Sequence, residues 1–235
     1  RDLDLLGAEP LKQVAGCAGV MWHWYHYPSE IRWAALPLLR VIEERLRIPV
    51  FPDLATCWHF DDKIAQSYLL EALEIPCPKT WIFWREADAR AWCEQAEYPV
   101  VAKLSGGAGS TNVRLIRSVS EARAYVEKCF SGAGVVVRPP LPAGAGARAW
   151  ARAKRAAKRA AQALPYVLAD RFPALPDQTY WMPHKNYALF QEFMPGNEFD
   201  TRVTVVGERA FAFRRLNRPG DFRASGSGRI DHDPG

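Results

Sequence analysis

This chain lacks a cysteine pattern suited to a structural role. The five residues Cys17, Cys57, Cys77, Cys93 and Cys129 are odd in number, widely spaced and without a CxxC pair. That argues against a disulfide framework or a zinc knuckle and fits a reducing cytoplasm. No uninterrupted apolar run reaches the roughly 18 residues of a membrane span, so no membrane partner is expected. The opening segment RDLDLLGAEP begins with Arg1 rather than Met. It has neither the apolar stretch nor the small-residue cleavage site of a secretory leader, and reads as lying inside a longer protein. Also lacking are a glycine-rich loop ending in GKS or GKT and a GxGxxG that opens a helix. A Walker A loop is thereby excluded, and a Rossmann dinucleotide site is a poor fit. No internal repeat is present.

What the chain does have is enough apolar sequence for a real core, 49% of 235 residues. Its net charge of +5 is local in origin. Arg148, Arg152, Lys154, Arg155, Lys158 and Arg159 form a block without an acid, inside a Pro/Gly/Ala-rich insert at 139–164. Alanine, arginine and lysine favour a helix there, and the arginines fall on one stripe. The stripe is read as a solvated face. The other reading, a non-enzymatic binder of an acidic polymer through 148–159, predicts affinity that falls steeply with salt. Nucleic acid is not expected, because the segment has few aromatics besides Trp150 to stack bases.

Periodicity and breakers predict a strand over Gly19–Tyr25, a helix over Ser29–Leu46 and a strand over Pro49–Pro52, a piece of an α/β unit. A helix from Asp61 to Leu73 follows, started by the pair Asp61 and Asp62. Pro76 and Pro78 end it and turn the chain into a strand over Thr80–Phe83. Next come a helix (Glu86–Gln95), a strand (Pro99–Leu104), a glycine-rich loop (Ser105–Ser110), a strand (Asn112–Ile116) and a helix (Ser118–Cys129). A strand is read at Val135–Val137. Two further strands, Phe199–Val206 and Arg209–Arg215, flank the turn Gly207-Glu208. Alternation puts Asp200, Arg202 and Thr204 on one face, and Phe211, Phe213 and Arg215 on one face.

Three segments carry chemistry. In YPVVAKLSGGAGSTNVRLI a strand delivers Lys103 beside Gly106, Gly107 and Gly109, which let backbone N–H groups approach phosphate oxygens closely. In CWHFDDK a lysine, Lys63, sits in a helix's first turn, where the dipole prefers an acid. The stretch QEFMPGNEFDTRVTVVGERAFAFRRLNRPGDFRASGSG combines an acid, several arginines and a Gly/Ser loop, types suited to phosphate and carboxylate.

In this order and spacing the three segments closely resemble the ATP-grasp superfamily. The last one resembles most the branch with the ribosomal-protein glutamate ligases and related amino-acid ligases, which carry an arginine-bearing strand pair followed by GDFR. The resemblance implies an α+β fold with two α+β subdomains around a nucleotide cleft. A partial α/β segment (1–58) would precede an ATP-grasp domain (59–235), divided into a first subdomain (59–190) and the start of a second (191–235). It also implies ATP and Mg2+ as cofactors, with the metal ligands beyond residue 235. Lys63, Lys103, Gly106, Gly107, Gly109, Ser110, Gln191, Glu192, Phe193, Met194, Asn197, Glu198 and Asp200 would hold nucleotide. Arg202, Arg215 and Arg223 would serve catalysis, and Arg214, Asn217, Ser225, Gly226 and Ser227 would bind substrate. The implied activity is an ATP-dependent carboxylate–amine ligase working through an acyl phosphate on a small-molecule or peptide acid and an amine. A kinase of the same fold, phosphorylating a hydroxyl, is the alternative.

Overall fold

The computed structural model of the protein describes residues 2–22, 29–106, 112–135 and 183–232. Gly107, Gly109, Ser110 and the basic insert at 139–164 lie outside the described residues, as do the later part of the Val135–Val137 strand and Asp233. The chain forms two compact units. One includes the residues up to Cys57, and the other joins Trp58–Val135 to Pro183–Gly235. Both mix helices with sheets, and the chain as a whole is α+β, the class expected from the sequence.

In the first unit, α1 (Pro10–Val14) and α2 (Ser29–Glu44) pack with the parallel strands β1 (Val20–Met21) and β2 (Val50–Phe51) and the short α3 (Leu54–Cys57). Parallel strands need a crossover, and α2 supplies it. Leu39 and Ile42, one turn apart on α2, are fully buried against Val14, Val20 and Val50.

The second unit is built on a four-stranded antiparallel sheet. Its elements are α4 (Lys63–Ala72), β3 (Thr80–Phe83), α5 (Glu86–Gln95), β4 (Val100–Lys103), β5 (Val113–Ile116), α6 (Val119–Phe130) and β6 (Ala188–Glu192). The strand order is β3-β6-β4-β5, so β6, far along the chain, inserts between β3 and β4. Residues opposed across antiparallel strands share a face. The row Trp81, Phe190, Ala102 and Arg114 therefore points one way. Phe190 is fully buried there, stacked on Trp92 of α5 at 4.6 Å and met edge-on by Tyr125 of α6 at 5.5 Å. The rows Thr80–Gln191–Val101–Leu115 and Ile82–Leu189–Lys103–Val113 point the other way. On that side Ile64 of α4 packs on Leu189 and Ile82, which brings the start of α4 to the sheet.

Sequence and structure agree on α5 and β3 to the residue, while α4 starts at Lys63 because Asp62 is its cap. The Asp62 carboxylate accepts the N–H groups of Ile64 at 3.0 Å and Ala65 at 3.2 Å. These are among the donors that a helix start leaves unpaired. Ser118 caps α6 in the same way, accepting the Glu121 N–H at 3.3 Å.

The third sheet follows directly. The hairpin β7 (Phe199–Val206) and β8 (Arg209–Leu216) turns through Gly207, whose φ of 59° suits glycine, and β9 (Ile230–Asp231) adds to β8. Asp200 lies opposite Arg215, Arg202 opposite Phe213 and Thr204 opposite Phe211, so the two expected faces are one face of the hairpin.

Candidate functional site

A cleft of about 1290 Å³ opens in the second unit between the polar face of the four-stranded sheet, the start of α4 and the loop after β8. Lys63 and Lys103 both line it. Lys63 is the first residue of α4, and Lys103 ends β4 in the row that points into the cleft. Burial lowers the pKa of each. For Lys63 the carboxylates of Asp61 and Asp62 oppose that push, whereas for Lys103 the positive charge of Lys63 adds to it, bringing Lys103 to about 8. Two half-buried ammonium groups, close enough for one to shift the other's titration, favour an anion between them.

Lys103 Nζ donates to Gln191 Oε1, and the Gln191 amide donates to Thr80 Oγ at 2.9 Å. The row across β3, β6 and β4 thus fixes the lysine head. Tyr125 donates to the Lys103 carbonyl at 3.0 Å and holds the backbone from behind.

After Gln191 the chain runs along the cleft through Glu192, Phe193 and Met194 to Asn197 and Asp200, all of which line it. Glu192 is fixed at the strand end, where its carboxylate accepts the Lys79 N–H at 3.2 Å. The opposite wall is the GDFR loop. Phe222 meets Phe193 edge-on at 5.7 Å, and Asn217 donates to the Asn197 carbonyl at 2.7 Å. Arg223 lines the cleft and grips Asp221 in a close pair, with Nη2 to Oδ2 at 2.5 Å. Hydrogen bonds from Arg223 hold the Asp221 carboxyl below its usual range, against the upward push of burial.

The expected site residues thus separate into groups. Lys63, Lys103, Gln191, Glu192, Phe193, Met194, Asn197, Asp200, Asn217, Arg223 and Ser225 come together around one cleft. Among the described residues Arg202, Arg214, Arg215, Glu198, Gly226 and Ser227 do not line it, nor does Gly106. Arg215 stands one layer back. It binds Asp200 through two bonds of 2.6 and 2.8 Å and reaches Ser225 Oγ at 3.4 Å, so it holds two wall residues in place. Arg214 projects from the other face of β8 and covers the Phe199 ring at 4.6 Å. Alternation groups residues by face but does not say which face meets a cleft, which is why these arginines separate.

Asn112 and Arg117, which flank β5, and Arg114 within it also line the cleft. Both polar atoms of the Asn112 amide are buried without a hydrogen-bond partner, a signal only three dimensions show. Among the described residues no three His, Cys, Asp or Glu side chains gather as a metal cage. Asp200 and Asp221 are each held by an arginine, so these residues do not fit the magnesium that the resemblance implies.

No family model matches the sequence, and no curated protein matches it. Among solved structures the chain is similar to a RimK domain protein ATP-grasp from Sphaerobacter thermophilus DSM 20745, with 19% identity and a TM-score of 0.40. The match covers 72% of this chain and 46% of that one, so this chain spans less than half of that protein's length. No helix among the described residues is long and apolar enough to cross a membrane.

Proposed function

We propose that the chain binds ATP in the cleft of the second unit and belongs to an ATP-grasp carboxylate–amine ligase of the reducing cytoplasm. The observation that carries this reading is the meeting of Lys63 and Lys103 in one cleft although 40 residues separate them in sequence. Two half-buried cations beside a glycine-rich segment, in a cleft that Arg223 also lines, suit a polyphosphate better than a single carboxylate. The segment Gln191–Asn197 is the adenine and ribose side, with Phe193 and Met194 supplying apolar surface for a base. Supporting it further is the motif resemblance around QEFMPGNEFDTR and GDFR.

In the proposed reaction a substrate carboxylate oxygen bonds to the γ-phosphorus while the bond from that phosphorus to ADP breaks. An amine nitrogen then attacks the acyl carbon, the C–O bond to phosphate breaks, and the nitrogen loses a proton. Charge builds on the transferring oxygens in the first step, where Lys63, Lys103 and Arg223 would offset it. Asn217 and Ser225, beside Arg223, would meet the acid or the amine. Incubation with ATP and panels of acids and amines tests the reaction. Phosphate release that needs both an acid and an amine is expected; phosphate left on a hydroxyl product would make the protein a kinase instead.

A further inference from the structure

Ser105 is the buried polar residue among the described ones. It follows β4 directly, and each of its polar groups is engaged. Its carbonyl accepts the Lys63 N–H at 2.8 Å, and its hydroxyl donates to Asp62 Oδ1 at 2.7 Å, the same oxygen that caps α4. Its N–H donates to the Tyr187 hydroxyl at 2.8 Å, which in turn pairs with His184 Nδ1 at 2.7 Å. Gly106 continues this corner, where an added Cβ would stand 3.8 Å from the His184 ring and 3.9 Å from the Asp61 carbonyl.

We infer that the chain of hydrogen bonds Asp62–Ser105–Tyr187–His184 is a brace that holds the start of α4 against the end of β4, making Ser105 and Tyr187 positioning residues for Lys63 and Lys103. Repulsion between two ammonium groups drives their carriers apart unless the backbone is fixed. Lys103 is two residues before Ser105, and Lys63 is bonded to Ser105 through its own N–H, so this one residue sets the distance between the two cations. Asp62 and Asp61 soften the charge on the Lys63 side, while Lys103 bonds the neutral Gln191 amide. Beyond the Asp62 carboxylate the brace is made of hydroxyl, amide and imidazole groups that are bonded to one another, which costs less to bury than another ion pair would. Its value for ligand binding rests on the nucleotide reading above; its effect on the lysines does not.

Competitive labelling of amines in the intact chain, resolved by mass spectrometry, reads the apparent pKa of Lys103 without any ligand, and titration with ATP reads affinity. In Ser105→Ala and Tyr187→Phe, Lys103 should titrate higher, toward its ordinary 10.5, as Lys63 and the dry surroundings move away. ATP binding should weaken about tenfold, the equivalent of one buried hydrogen bond. A purely structural role would lower the melting temperature and leave the Lys103 profile of the folded variant unmoved. Tyr187→Phe keeps the ring against Trp84 and His184; should it not fold, Ser105→Ala decides alone. A wild-type Lys103 profile in folded Ser105→Ala overturns the brace whatever ATP does. A wild-type protein that does not bind ATP overturns the nucleotide reading, and the labelling profile still decides the brace.

Discussion

Lys103 ends a central strand of the sheet and Lys63 begins the helix laid over it, and burial, together with the charge of Lys63, brings Lys103 to a pKa of about 8. In the unfolded chain the same amine titrates near 10.5. Between these values the unfolded state binds the extra proton, so stability of the ligand-free protein should rise with pH across this window. The cost of charging Lys103 is present in full below about pH 8 and is on the order of 3 kcal/mol. ATP should show the opposite trend, since it needs the ammonium form. Its affinity should hold below about pH 8 and then fall by up to about tenfold per pH unit. Isotherms at several pH values check this, and Lys103→Arg should flatten the curve.

Arg215, behind the cleft wall, forms a two-bond pair across the hairpin with Asp200 of that wall. Both are partly exposed, so the pair belongs near the upper end of the surface range, about 1 kcal/mol. Arg215→Ala should lower stability by roughly that much, and Arg215→Lys should recover only part of it, since lysine cannot form the fork. A double-mutant cycle with Asp200→Ala measured by urea unfolding isolates the pair. A coupling near zero would remove Arg215 from its supporting role.

Phe190 is the centre of the aromatic core between Trp92 and Tyr125. Phe190→Ala should cost about 3–5 kcal/mol, through lost transfer energy and the cavity left behind. Because β6 also carries Gln191, the partner of Lys103, that variant should weaken ATP binding as well as stability. Chemical denaturation and ATP titration of the same sample separate the two effects.

Arg223 lines the cleft while bonded to Asp221, and its guanidinium reaches the carbonyl of Val113, the residue paired with Lys103, at 3.5 Å. Arg223→Ala should leave ATP binding within about twofold and reduce turnover about 100-fold or more, since its charge counts most when the phosphoryl group moves. Parallel loss of binding and turnover would place Arg223 on the nucleotide.

The second unit was the more legible in sequence, for reasons that particular residues show. Thr80–Phe83 and Glu86–Gln95 were fixed by Pro76, Pro78 and a clean change of period. The short α1, α3 and β9 have too few residues to display a period, and none of them was expected. The insertion of β6 between β3 and β4 was invisible, because pairing over a long sequence separation leaves no local trace. In the site, Lys63, Lys103 and the Gln191–Met194 segment were legible as motifs. Arg114, Arg117 and Asn112 were not, since a side chain's approach to a cleft depends on which sheet edge it occupies. Asp221 carried a signal, standing two residues before Arg223 in the quoted GDFR, yet only the structure shows it occupied by that arginine.

The central claim, a polyphosphate site built on the lysine pair, is tested most directly by the melting temperature with and without ATP in the wild type and in Lys103→Ala. At 100 times its Kd a ligand adds about 2.7 kcal/mol to the folded state. The wild type should therefore melt several degrees higher with ATP, and Lys103→Ala should show little or no rise. An equal rise in both proteins, or none in the wild type, would contradict the site.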